Sequence, residues 1–147
     1  MVTTSNLREF NASLDDFADN EVPAFVEMAV RRVAFAIDRA LVMSTPVGNP
    51  DLWKHPAPKG YVGGRARANW IPTLNVPATA ESGKIDKQGA ATIGLLAPVA
   101  QKYRIGDTLF LSNNVPYIVR LNEGHSTQAP SGYVEMAIET GLRDAFK

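Results

Sequence analysis

Apolar positions recur at helical spacing most clearly between Pro23 and Met43, where Phe25 or Val26, Ala29 or Val30, Val33, Ile37 and Leu41 make one stripe. Arg31, Arg32, Asp38 and Arg39 fall mostly off it. The pattern predicts an amphipathic helix about 30 Å long at 1.5 Å per residue. Pro23 suits the first turn, where a missing N–H costs nothing, and Asp19 or Asn20 can cap just upstream. Pro46 disfavours a helical Thr45, so the helix is expected to stop near Met43 or Ser44. Residues 6–14 alternate only in part. Leu7, Phe10, Ala12 and Leu14 stand among polar neighbours and fit a short strand with a turn or a weak helix. Ser13 with Asp16 three positions later resembles a helix start that would bury Leu14 and Phe17.

Periodicity vanishes over 46–64, where four prolines and four glycines fall within nineteen residues. Such long loops are usually functional or disordered. Leu52, Trp53 and Tyr61 are large apolar groups for a solvent-dispersed linker, so this loop is expected to pack on its own domain or on a neighbour. Residues 68–76 read as a strand with Trp70, Pro72, Leu74 and Val76 on one face, and Pro72 places it at an edge. Residues 78–90 read as a loop. Ile93, Leu96, Val99 or Ala100, and Tyr103 fit a helix that Pro98 opposes. Gly106-Asp107 turns into a strand at 108–112 with Leu109 and Leu111 on one side. Asn113-Asn114 suits a tight turn with φ > 0. Residues 115–121 fit a short strand or one helical turn, and 124–130 form a polar loop. Ser131 can cap a closing helix whose stripe is Val134, Ala137 or Ile138, Leu142 and Phe146. The expectation is one α+β domain over 1–147, with a long amphipathic helix and a C-terminal helix packed on a small antiparallel sheet.

Composition narrows the classes. The chain has 147 residues, 45% of them hydrophobic, and a chain of this size can bury about 68–70% of its unfolded surface. Fifteen basic and fifteen acidic side chains balance to zero, against the basic excess usual in nucleic-acid binders. Absence of cysteine excludes disulfides, a thiol nucleophile and cysteine-ligated metal. The first ten residues lack the apolar stretch of a signal peptide, and Glu27, Arg31, Arg32, Asp38 and Arg39 make 22–43 unfit to span a membrane. Synthesis in a cytoplasm is expected.

Candidate chemistry is sparse. Histidines occur only at 55 and 125. Glu123 and His125 suit an acid/base or metal pair, but a hydrogen-bonded surface turn explains them more economically. Ser126-Thr127 lacks a Gly-x-Ser-x-Gly elbow, and Gly60 to Arg65 lacks the lysine and helix of a phosphate-binding loop. No cofactor, metal or catalytic residue is expected. Arg65 and Arg67 before Trp70 make a local basic and aromatic cluster, suited to phosphate contacts or, more simply, to ion pairs with carboxylates of this or a neighbouring subunit.

Three segments carry a resemblance. They are a long helix ending in Thr45-Pro46-Val47; Gly64-Arg-Ala-Arg-Ala-Asn-Trp70; and Ser112-Asn-Asn-Val-Pro-Tyr117 followed by Leu121-Asn-Glu-Gly-His-Ser126 and Gln128-Ala-Pro-Ser-Gly132. In this order they resemble the tail-component or tail-completion family of tailed bacteriophages, neck proteins that finish a tail and help join it to the head. In the family's compact form Thr-Pro-Val runs almost directly to Gly-Arg, whereas here Gly48 to Gly63 intervene, and Asn122 stands where many relatives carry an aromatic.

The resemblance implies a structural virion subunit rather than an enzyme. It would form a homo-oligomeric ring touching the tail tube or terminator and the head connector, with DNA at most passing through. It would assemble in the host cytoplasm, with no membrane partner. Loop 48–63, through Leu52, Trp53 and Tyr61, and loop 122–131, through Glu123, His125 and Gln128, are the expected contact surfaces. Arg65 and Arg67 would supply interfacial ion pairs. The rivals are a nucleic-acid module using Arg65, Arg67, Lys84, Lys87 and Trp70, and a small hydrolase around Glu123 and His125.

Overall fold

A computed structural model describes residues 4–147, with side chains from Asn6 onward. Its architecture is α+β. Helix α1 (Thr4–Asp16) runs through one wide π turn (Phe17–Glu21) into α2 (Val22–Ser44). Short 3₁₀ turns at Pro50–Leu52 and Arg67–Asn69 precede β1 (Ile71–Leu74). Helices α3 (Ala90–Gly94) and α4 (Leu96–Lys102), β2 (Leu109–Ser112), α5 (Ile118–Asn122) and α6 (Tyr133–Ala145) follow. β1 and β2 pair antiparallel in register Ile71↔Ser112 to Leu74↔Leu109.

The long helix is the main departure from expectation. Asp16, Glu21 and Val22 all keep helical dihedrals, so the rod runs from Thr4 to Ser44, about 60 Å, twice the expected length. No helix starts at Ser13, and Asp19 and Asn20 lie inside the π turn rather than at a cap. Pro23 explains the wide turn. In an unbroken α-helix its ring would press on the carbonyl of Asp19. Here Val22 N–H reaches back five residues to Phe17 O, which takes up one extra residue just before the proline. That residue turns everything after it by about 100° relative to the segment before. The stripe Leu7, Phe10, Leu14, Phe17 is thereby brought into line with Val22, Val26 and Val33. Leu14 and Phe17 are nevertheless exposed, because none of the described residues outside the rod covers them.

Beyond Glu27 the rod joins the body. Arg31 pairs with Glu27 at 3.0 Å and donates to the carbonyls of Ala100 and Tyr103, both at 2.8 Å. These bonds fasten α2 to the end of α4. The core gathers Leu41, Val42, Trp70 and Ala137, with Ile37, Ile93, Leu111 and Val134 against them. Ala34, Leu96 and Ala100 form a second cluster that Leu109 and Leu111 also touch, so β2 bridges the two.

Helix α6 keeps the first half of the expected stripe, with Val134 and Ala137 on the core, and departs from it in its last turns. Tyr133, Ala137, Gly141 and Ala145 are buried, whereas Leu142 is exposed and Phe146 is 77% exposed. Small residues every fourth position let α6 lie close on α2, and close backbone approach outweighs side-chain bulk there. Ser131 is not its cap. Gly132 holds that position at φ 75, and Asn122 Oδ1 accepts from Val134 N at 2.9 Å.

Smaller expectations resolve by similar local chemistry. The helical segment 90–104 breaks at Leu95, not Pro98, which sits in the first turn of α4 where it is tolerated. Trp70 and Pro72 are buried, but Val76 is 68% exposed. Positive φ falls on Asn75, at 63, rather than on Asn113 or Asn114. Asn75 closes the sheet end by exchanging bonds with Thr108, N to O at 2.7 Å and Oδ1 from N at 2.9 Å. Residues 115–121 take the helical alternative, as α5.

Candidate functional site

Thr45, the last residue before the long loop, organises the site from below. Pro46 forces it out of the helix, to ψ 121. Its hydroxyl donates to Leu41 O and accepts from Trp70 Nε1, each at 2.7 Å. Arg67 caps the same helix end, with Nε and Nη2 donating to Thr45 O at 3.0 and 2.8 Å and Nη2 to Met43 O at 3.2 Å. A cation at a helix C-terminus also meets the negative end of its dipole. Arg67 further donates to Lys87 O at 2.6 Å. All the bonds described for it go to backbone carbonyls of its own chain.

The turn before it needs glycine at position 64. Gly64 has φ +103, and a Cβ there would lie 2.9 Å from the backbone of Asp86 and Lys87. Asn69, fully buried, fastens this turn to the loop of residues 78–89: it donates to Arg65 O and accepts from Ser82 N, both at 2.7 Å. Asn113 reaches across to Ala66 O at 2.9 Å.

On this base the two proposed contact loops meet. Gln128 accepts from Asn49 N at 3.1 Å and donates to Val47 O at 3.3 Å, joining loop 122–131 to loop 48–63. Between them lies a pocket of about 270 Å³ walled by Trp53, Tyr61, Arg65, Tyr117, Leu121 and Gln128. Trp53 and Tyr61 pack edge to face with centroids 4.7 Å apart. Arg65 lies 5.9 Å over the Tyr117 ring and holds Glu81 through two bonds, 2.9 and 2.8 Å. Burial pushes the Tyr61 and Tyr117 hydroxyls above the ordinary phenol range, with Arg65 pulling Tyr117 the other way. These are neutral amphipathic rings with polar tips, suited to contact.

Four of the eight expected contact residues, Trp53, Tyr61, Arg65 and Gln128, thus share one pocket. Leu52 is 57% exposed and stands outside its wall. Arg65 is already paired with Glu81 of the same chain. His125 and Glu123 lie outside the wall too, 3.7 Å apart and both well exposed. Ser126 Oγ accepts from Gln128 N at 3.1 Å, a turn contact. Among the described residues no cluster of three or more His, Asp or Glu is placed to hold a metal. Trp70 is buried in the core, so it has no face to offer a nucleic-acid base. Missed at the level of sequence were the backbone-holding roles of Asn69 and Asn122, and, for Asn113 and Asn114, read there as a tight turn, the distant carbonyls they bind. Asn114, for one, donates to Ala78 O at 2.8 Å. Comparisons with protein-family models, with curated proteins and with solved structures returned no match.

Proposed function

We propose that the chain is a structural subunit of a tailed-phage neck, a tail-completion protein that assembles in a ring and helps join tail to head. The observation that carries this reading is the meeting of the three family-like segments. Thr45-Pro46-Val47, Gly64–Trp70 and the 112–132 region are far apart in sequence, yet they tie to one another through Trp70–Thr45, Arg67–Thr45, Asn113–Ala66 and Gln128–Val47. Three of these four bonds go to backbone carbonyls. Their chemistry is that of a rigid platform, and what the platform presents outward is an aromatic-rimmed pocket.

That rim suits a protein contact. Trp, Tyr and Arg carry a disproportionate share of interface energy, and Trp53, Tyr61, Arg65 and Tyr117 supply all three types on one patch. The inserted loop, absent from the compact form of the family, brings Trp53 and Tyr61 to it. A tail or connector protein is the occupant this reading assigns to the patch. Deletion of the gene from the parent phage tests the function. Separate filled heads and unjoined or aberrant tails are expected; normal infectious particles overturn the proposal.

A further inference from the structure

One surface plays no part in the pocket. Every residue from 6 to 22 is exposed, although α1 bears an apolar stripe of Leu7, Phe10, Leu14 and Phe17; Phe10 alone is 59% exposed. On the body, between α2, the sheet and α6, an open groove of about 510 Å³ is lined by Val30, Val33, Ile37, Leu41, Leu109 and Ile138, among others. Apolar patches of this size are rare on the surface of monomers and mark interaction sites.

We propose that the groove of one copy receives the α1 arm of another. The lengths agree. The stripe from Leu7 to Phe17 spans roughly 15 Å of helix and the α2 wall from Val30 to Leu41 roughly 17 Å, at 1.5 Å per residue. Arm and groove belong to one continuous rod, so the arm points away from its own groove and reaches only that of another molecule. Charge selects the same partner. Residues 1–21 carry one base, Arg8, against Glu9, Asp15, Asp16, Asp19 and Glu21, a formal −4, which leaves +4 on residues 22–147. Two arms laid together would repel, whereas the rest of the chain carries the opposite net charge. The groove wall itself is apolar apart from Asp107 and a few polar groups, so charge acts at long range and the apolar stripe makes the contact. The Pro23 π turn has a consequence here: by rotating the arm's stripe onto the face of Val26 and Val33, it makes arm and groove one continuous apolar surface. The contact supplies an interface that the neck reading needs, but its observations stand independently of that reading.

The cysteine-free sequence allows a direct test. Full-length Leu14→Cys and Val33→Cys proteins are mixed and treated with a short bis-maleimide. Cross-linked dimers are expected from the mixture and not from either variant alone. Linking of Leu14→Cys by itself means arms pair with arms and overturns the proposal. Absence of any link overturns it too, and assigns the arm to a different protein. In parallel, Phe10→Gln/Phe17→Gln should weaken self-association at least ~tenfold per aromatic, with helix content unchanged because both side chains lie in solvent; undiminished association contradicts the contact. High salt should also loosen it. The native mass of the untreated wild-type assembly separates the two readings. A closed ring fits both, whereas a two-fold dimer upholds the arm contact and counts against the neck.

Discussion

A single methyl group at position 141 is expected to cost about 3 kcal/mol of stability, the upper range for overpacking a core. Gly141 sits in the middle of α6 where that helix crosses α2. A Cβ built there would stand 2.5 Å from Ile37 Cα and 2.7 Å from Ile37 N. These are main-chain atoms of a neighbouring helix, so no rotamer change relieves them; one helix has to move. Alanine would gain up to ~1 kcal/mol of helix propensity over glycine, and the clash still wins. Since α2 and α6 share the core around Leu41 and Ala137, separating them also opens the Trp70 cluster. Thermal unfolding of Gly141→Ala should move down by roughly 6–12 °C, at 2–4 °C per kcal/mol for a chain of this size. Gly94→Ala is the control. A Cβ at Gly94 meets nothing within 4 Å, so that variant should be neutral or slightly more stable. Equal effects at the two positions would contradict the close helix packing.

The second large effect is a pH dependence centred on Asp38. Its residue surface is 0% exposed and neither carboxylate oxygen has a hydrogen-bond partner among the described residues. Burial pushes its pKa from 3.8 up to about 7. The folded state therefore holds a proton that the unfolded chain releases near pH 4. The stability tied to the neutral carboxyl is fully present below pH 4, falls as pH rises toward 7, and stays lost above it. Three pKa units correspond to about 4 kcal/mol at ~1.4 kcal/mol per unit. Asp38→Asn removes the titration. The stability difference between Asp38→Asn and wild type should shift in favour of the variant between pH 4 and 8, by that order, while other titrating groups cancel. A flat difference across this range would show that Asp38 is ionised in the fold and has a partner.

Much of this fold was legible because it follows from periodicity and proline. The α2 stripe, its end at Pro46, the β2 strand after Gly106-Asp107 and the closing helix all rest on strong local signals. Failures came where tertiary geometry overruled local preference. Pro23 reads as a helix start, but a π turn lets the helix pass through it, and no sequence rule anticipates that extra residue. Leu142 and Phe146 look like core by bulk, yet α6 buries its small side because close approach to α2 needs Gly141. Ser131 is a good cap by type, and Asn122, distant in sequence, takes the role. At the candidate site, of the large groups in the proline-rich loop that were expected to pack, Trp53 and Tyr61 pack edge to face on each other, while Leu52 and much of Trp53 remain exposed. Nothing local revealed that Arg67 would cap α2, since its acceptors at Met43 and Thr45 lie more than twenty residues upstream.

A three-dimensional reconstruction of the parent particle, with the subunits counted around the tail axis, tests the central claim most directly. The account predicts a closed ring of this chain between tail and head connector. In it, loops 48–63 and 122–131 should meet a neighbouring protein at the Trp53–Tyr61–Tyr117 pocket. Infectious particles whose neck contains no copy of this chain would contradict it.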